Sequence, residues 1–206
     1  MPCRRVDDLP QKGGKRLLDL ADSCRLPETD RLDGKSPWAV VKTAWNPGGL
    51  AVEVEVETSL DNLLPPEFLT APYGLMIWVD TRDTRDLSRA SRFCHAFEIL
   101  VEPLKGKSNS PVLKIRQKPI ARAVADAKIC DPQDIESRLE KLKTGYRIEV
   151  YLPAKVLNGF DPEINRRLGF AYLVTDPDRE GQALGTGSPF PIGENPTLWS
   201  TLELVE

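Results

Sequence analysis

The most concentrated group of side chains that could do chemistry lies between residues 81 and 95, directly after an apolar stretch. Planar side chains that hydrogen-bond through two atoms hold sugar hydroxyls and carboxylates in proteins, usually beside an aromatic ring. Arginine-rich loops also suit carboxylated ligands. The simpler interpretation is a salt-bridged loop that caps one end of the fold. We predict a ligand region formed by Arg82, Asp83, Arg85, Arg89, Arg92, His95 and Trp38.

The sequence contains no set of residues that predicts catalysis. His95 is its only histidine, and no serine or cysteine nucleophile is matched to it. Neighbours on a strand point to opposite faces, so Cys94 and His95 are not expected to form a pair. We expect His95 to be hydrogen-bonded within the fold, and a haem site with Met76 as second ligand is the alternative. We therefore predict a protein that is not an enzyme and has no cofactor.

Two groups of carboxylates have a spacing that could serve sugar hydroxyls or calcium. The first lies on the outer face of a predicted strand, and we expect it to form a solvated surface that discourages aggregation. The second follows a later strand, and we expect it to form a turn, although its alternate spacing matches part of a calcium loop. The two groups are Glu53, Glu55 and Glu57, and Asp176, Asp178 and Glu180.

Apolar periodicity predicts the strands that hold the charged loop. Residues 73–80 read as a central strand, because apolar side chains point to both of its faces. Residues 38–45 and 50–57 form a hairpin through an Asn-Pro-Gly-Gly turn, with every second residue of the later strand facing inward. Further strands are predicted at residues 93–101, 112–116, 120–130, 146–152, 167–176 and 199–205.

Two other segments complete the predicted organisation. Asp131 followed by Pro132 predicts the start of one short helix, which ends at Gly145. Residues 1–37 are polar and interrupted by proline, so we expect an N-terminal arm packed on a domain of residues 38–206. The predicted fold is all-β, an antiparallel β-sandwich of jelly-roll or immunoglobulin-like type with one short inserted helix.

Composition limits the partners. The chain has 206 residues and a net charge of −3, from 28 basic and 31 acidic side chains, so we expect no nucleic-acid partner. No apolar run is long enough to span a membrane, and the N-terminus lacks the apolar stretch of a signal peptide, which predicts a cytoplasmic protein without a membrane partner. The four cysteines are far apart in sequence, and we expect free thiols.

Five segments carry a resemblance to a known family. They are Asn-Pro-Gly-Gly-Leu-Ala-Val-Glu-Val-Glu-Val from residue 46, Gly-Leu-Met-Ile-Trp-Val-Asp-Thr-Arg from 74, Tyr-Arg-Ile-Glu-Val-Tyr-Leu-Pro-Ala from 146, Arg-Leu-Gly-Phe-Ala-Tyr-Leu-Val-Thr-Asp from 167, and Leu-Trp-Ser-Thr-Leu-Glu-Leu from 198. Their order resembles the family 9 carbohydrate-binding modules and the wider DOMON-like β-sandwiches, over residues 38–206. The particular form is similar to proteins of planctomycete-type bacteria.

The resemblance implies a non-catalytic jelly-roll-like module that binds a saccharide. Family members with known ligands clamp a terminal sugar between two tryptophans and often hold structural calcium. Trp45, Trp78 and Trp199 lie within predicted strands, whereas Trp38 lies near a strand start. We therefore expect a saccharide partner. The alternative is a cytoplasmic protein-interaction or structural domain, with a protein partner and no sugar ligand.

Overall fold

A computed structural model describes residues 1–60, 71–103, 111–185 and 190–206. Within these ranges the chain is all-β, as predicted. It forms eleven strands, which are β1 (Pro2–Arg5), β2 (Ala39–Asn46), β3 (Gly49–Val56), β4 (Gly74–Asp80), β5 (Cys94–Pro103), β6 (Pro111–Lys118), β7 (Glu136–Lys141), β8 (Tyr146–Pro153), β9 (Arg167–Asp176), β10 (Arg179–Ala183) and β11 (Ser200–Val205).

The strands form one nearly closed sheet in the order β6-β5-β4-β9-β11-β1-β2-β3-β8-β7, with β10 paired to β9. The two outer strands, β6 and β7, lie against each other. All neighbours are antiparallel except β1, which is parallel to both β11 and β2. No helix of the described ranges is long and apolar enough to cross a membrane.

The helix predicted between Asp131 and Gly145 is wrong. The Asp131 side chain does accept the backbone N–H of Gln133, at 2.9 Å, and caps a 3-10 helix at Pro132–Asp134. The chain then becomes extended and forms β7 at the edge of the sheet.

The strand predicted at residues 120–130 is also wrong, since this segment forms turns and irregular backbone. Further 3-10 helices occur at Asp22–Cys24, Thr29–Asp33, Ala154–Val156 and Pro196–Leu198.

Gly145 lies where the chain enters β8, against the end of β3. A Cβ atom here would overlap the carbonyl oxygen of Val56 and lie 2.9 Å from its carbonyl carbon. Strand backbone cannot easily move aside, so we expect Gly145→Ala to lower the free energy of unfolding by about 2 kcal/mol. Urea denaturation measures this change, with the exposed neighbour Thr144→Ala as control. A loss as small as the control's would contradict the close approach.

β2 and β3 form the predicted hairpin, and the inward face of β3 is the predicted one. Ala39 pairs with Val56 and Asn46 with Gly49 at the two ends of the hairpin. The inward residues of β3 are at most 2% exposed and contribute to one large core. Burying such side chains stabilises the fold by roughly 1.5–3 kcal/mol each. These inward residues are Leu50, Val52, Val54 and Val56.

The N-terminal segment is partly a strand of the sheet and partly a cover over it. β1 lies between β11 and β2, so residues 2–5 belong to the sheet rather than lying on it. Residues 9–24 then pack a second, smaller apolar cluster against the outer face of β2, β3 and β8. The domain boundary at residue 37 stays a prediction. The buried members of this cluster are Leu9, Leu18, Leu20, Cys24, Ala44, Ala51 and Tyr151.

A buried carboxylate on β8 fixes this covering segment. Glu149 is 0% exposed, and its side chain accepts the backbone N–H groups of Leu17 at 3.0 Å and Leu18 at 3.1 Å. The guanidinium of Arg16 lies 3.5 Å from the same carboxylate. Buried charges are stable only when they are paired and hydrogen-bonded, and Glu149 has both kinds of partner.

Glu53 of β3 is buried beside Glu149, which corrects the prediction of a solvated strand face. It is 0% exposed because residues 9–24 cover it. Arg16 donates to its carboxylate at 2.7 Å, the Leu20 N–H at 3.3 Å, and Lys42 lies 3.6 Å away. Burial raises the pKa of Glu53 in spite of these cationic partners.

Candidate functional site

The charged loop begins with an aspartate that organises its own backbone. Asp80, 1% exposed at the end of β4, accepts the N–H groups of Arg82 at 2.9 Å and Thr84 at 2.7 Å. Asp83, at a positive φ of 48°, accepts the Thr201 hydroxyl at 2.9 Å and pairs with an arginine of β9 at 3.3 Å. Both carboxylates are therefore committed to contacts within the protein.

Arg85 and Arg89 also hold the loop in place. Arg85 donates to the Trp199 carbonyl at 3.2 Å and to the Thr201 hydroxyl at 2.8 Å. Arg89 donates to the carbonyl of Arg122 at 2.8 Å. These contacts fit the interpretation of a loop that caps one end of the fold. A ligand-binding role for Asp83, Arg85 and Arg89 stays an untested prediction.

Arg82 and Arg92 are arranged differently. Both are exposed, and their guanidinium carbons lie 5.0 and 5.1 Å from the centre of the Phe93 ring. Such contacts combine cation–π attraction with packing of the arginine stem. Phe93 is half-buried and directly precedes β5, although the sequence had predicted a strand from residue 93. We call Arg82 and Arg92, which share the Phe93 ring, the arginine pair.

His95 is 1% exposed, so it lies out of reach of a ligand bound at the surface. Its Nδ1 lies 3.3 Å from the Gln117 amide nitrogen, and its Nε2 lies 3.5 Å from the Asn158 carbonyl. Burial lowers its pKa to about 4. Cys94 packs in a different cluster from Phe97, on which His95 stacks, so the two neighbours point to opposite faces as predicted.

Trp38 lies at the opposite end of the sheet from this loop. The backbone N–H groups of Trp38 and Ala39 donate to the Gln182 side chain at 2.8 and 2.9 Å. Gln182 pairs with Val174 of β9, which pairs with Leu75 near the start of β4. The charged loop follows the other end of β4. The structure therefore separates Trp38 from the arginine-rich residues with which the sequence grouped it.

The Trp38 ring is half-buried and firmly positioned. Its indole N–H donates to the Glu180 carbonyl at 3.2 Å, and the Arg179 guanidinium lies 5.4 Å from the ring centre. Arg179 in turn donates to the Glu57 carbonyl at 2.9 Å. The other three tryptophans, Trp45, Trp78 and Trp199, are at most 5% exposed and belong to the core, as predicted.

Two surface clefts meet at Trp38. The larger, of about 250 Å³, is called the Trp38 cleft and is lined beside Trp38 by residues that include Arg25, Pro37, Glu55, Glu57, Leu142 and Thr144. The second, of about 220 Å³, is lined by Asp30, Lys35, Arg179 and Glu180 beside the same indole. Each cleft thus combines an aromatic wall with carboxylates and a cation, which is the chemistry of a small polar-ligand site.

The predicted acidic groups do not gather into a metal site in the described ranges. No set of three or more histidine, cysteine or acidic side chains lies close enough there to hold an ion. Glu55 pairs with Arg147 at 2.6 Å, and Glu180 pairs with Lys35 at 2.6 Å. Asp176 accepts the Thr58 hydroxyl at 2.7 Å and the N–H of residue 178, forming the expected turn.

A larger open groove of about 720 Å³ lies beside the first residues of the chain. Among described residues it is lined by small, aliphatic and charged side chains and by no aromatic ring, so it offers no stacking surface. It shares Arg25, Glu28 and Arg31 with the Trp38 cleft.

The sequence did not predict that Arg179 contacts Trp38 or that Phe93 contacts the arginine pair. Both contacts depend on how parts of the chain that are distant in sequence meet.

Comparison with known proteins rests on structure. No protein-family model matches the chain, and no curated protein matches its sequence. Two solved structures of a family 9 carbohydrate-binding module from Caldicellulosiruptor kristjanssonii match it at 19% identity, one in complex with cellotriose and one with glucose. The TM-scores are 0.52 and 0.54; each alignment covers 81% of this chain and 74% or 76% of the other. The chain therefore has a fold like that of the family 9 carbohydrate-binding modules.

Proposed function

We propose that the chain is a non-catalytic saccharide-binding module and that Trp38 forms the wall against which a sugar ring stacks. The observation that carries the proposal is the position of Trp38: it is the one described tryptophan that is not fully buried, and it borders two polar clefts. A rigid indole with carboxylates beside it suits a ring that has apolar faces and hydroxyl edges.

Four further features support the proposal. The fold is like that of modules solved with cellotriose and glucose. The indole is held by Glu180 and Arg179 on β10, so little ordering is required when a ligand binds. The nearly closed sheet, with one face lining a large core, fits the jelly-roll-like sandwich of such modules. Glu55 and Glu57 would accept hydrogen bonds from sugar hydroxyls.

Replacing the indole tests the proposal. We expect cellotriose to bind the wild type in calorimetric titration, and Trp38→Ala to weaken binding at least tenfold because the stacking surface is lost. Trp38→Phe should keep part of the affinity. Phe190→Ala, which removes an exposed aromatic ring (55% exposed), is the matched control and should leave binding unchanged.

The outcome that would overturn the proposal is equally clear. If a glycan array and titrations with neutral and acidic sugars give no response while the protein remains folded, the chain is not a saccharide module. A partner of fixed stoichiometry recovered from the native organism would then favour the alternative, a protein-interaction or structural domain.

A further inference from the structure

The arginine pair presents two cations without an anion. Arg82 and Arg92 are exposed, and neither side chain forms an ion pair or a hydrogen bond with any residue in the described part of the chain. Both guanidinium carbons lie about 5 Å from the same ring centre, so they are no more than about 10 Å apart. Like charges at this separation repel, and a bound anion would remove that repulsion.

The neighbouring acids cannot supply that anion. Asp80 is buried and accepts two backbone N–H groups of the loop. Asp83 accepts the Thr201 hydroxyl and pairs with Arg167. The carboxylates that adjoin Arg82 in sequence are thus turned toward other partners, and the two guanidinium groups face solvent. Their charge is available to a ligand from outside.

The platform beneath the arginines is fixed. Thr81 donates its hydroxyl to the Asn158 carbonyl at 2.7 Å, and the Asn158 amide donates to the Arg92 carbonyl at 3.1 Å. Gly159, at a positive φ of 85°, packs so closely on Phe93 that a Cβ atom there would lie 2.7 Å from the ring. The backbone of both arginines is therefore held before any ligand arrives, which lowers the entropic cost of binding.

We propose that Arg82 and Arg92 together bind the carboxylates of an acidic saccharide, that is, one built from uronic acid residues. A guanidinium offers a planar pair of N–H donors that matches a carboxylate. A separation of at most about 10 Å lies within the span of one uronic acid residue or two successive ones. This inference rests on the proposed function, which supplies a saccharide as the class of ligand. It adds a second binding site, at the end of the sheet opposite Trp38.

Titration with trigalacturonate, compared with its fully methyl-esterified form, tests the charge requirement. We expect the free acid to bind at least tenfold more tightly than the ester, and its affinity to fall as sodium chloride is raised, because exposed ion pairs are screened. Acetate and inorganic phosphate should bind far more weakly than trigalacturonate. Equal binding of acid and ester, or phosphate binding as tight as that of the acid, would overturn the proposal.

Variants locate the site. Arg82→Gln and Arg92→Gln should each weaken trigalacturonate binding at least tenfold, while Arg138→Gln, an exposed arginine on β7, is the charge-matched control and should have no effect. Unchanged unfolding midpoints show that the variants fold. Trp38→Ala should leave trigalacturonate binding at the arginine pair intact. If the wild type binds cellotriose but does not prefer trigalacturonate to its methyl ester, only this inference is overturned. If the wild type binds neither cellotriose nor trigalacturonate, the proposed function is overturned as well.

Discussion

Glu149→Ala should lower the free energy of unfolding by about 3–5 kcal/mol, the largest effect that we expect from any single substitution. The carboxylate is 0% exposed and accepts the N–H groups of Leu17 and Leu18. Removing it leaves these donors without their acceptor and leaves Arg16 without one of its two buried carboxylates. Urea denaturation at neutral pH measures the loss.

Two control variants separate charge from hydrogen bonding at this position. Glu149→Gln keeps an oxygen acceptor and loses the charge, so we expect a smaller loss, of about 1–2 kcal/mol. Glu136→Gln removes an exposed carboxylate from neighbouring β7 and should change stability by no more than about 0.5 kcal/mol. If Glu149→Ala behaves like Glu136→Gln, the covering segment of residues 9–24 is not held through this carboxylate.

Acid should destabilise the wild type through His95 by about 3 kcal/mol between pH 7.5 and pH 4. Burial lowers the pKa of His95 from its ordinary 6.5 to about 4, so the unfolded chain takes up the proton first. Stability from the neutral ring is therefore present above pH 6.5 and is lost as the pH falls toward 4.

The hydrogen bond from Gln117 adds to burial in keeping the His95 ring neutral. The backbone N–H of Cys130 donates to Oε1 of Gln117 at 2.9 Å, which turns the Gln117 amide nitrogen toward Nδ1 of His95. Nδ1 must then accept a hydrogen bond, and Nε2 carries the proton toward the Asn158 carbonyl. A second proton on Nδ1 would face an N–H donor.

The difference in unfolding free energy between wild type and His95→Gln isolates this effect, because the other titrating groups are common to both proteins. We expect that difference to shift by about 3 kcal/mol against the wild type between pH 7.5 and pH 4. If NMR shows that the pKa of His95 in the folded protein is near 6.5, the account is contradicted.

Strands with strong alternation were predictable because their pattern is local. β3 alternates apolar and polar residues, and its hairpin with β2 and its inward face agree with the sequence. The region around β7 was not predictable. Asp131 and Pro132 do cap a helical turn, but the residues that follow pair with β8 as an edge strand, and that pairing is not a local property of the sequence. β1 has only four residues, and it forms a strand because two distant parallel neighbours, β11 and β2, pair with it.

The candidate sites were only partly predictable for the same reason. Sequence order places Arg82 and Arg92 within one loop, and the structure brings both onto Phe93. Trp38 was correctly separated from the core tryptophans, but its distance from that loop depends on β10 reaching across to β2. Glu53 is buried because residues 9–24 cover it, and no apolar periodicity in that segment predicts which face of the sheet it packs on.

The most direct test of the central claim is a crystal structure of the protein with cellotriose. We predict that a sugar ring lies against the indole of Trp38, with hydroxyls directed at the polar side chains of the Trp38 cleft. A sugar bound elsewhere with Trp38 free of contact, or crystals grown at saturating cellotriose that hold no sugar, would contradict it.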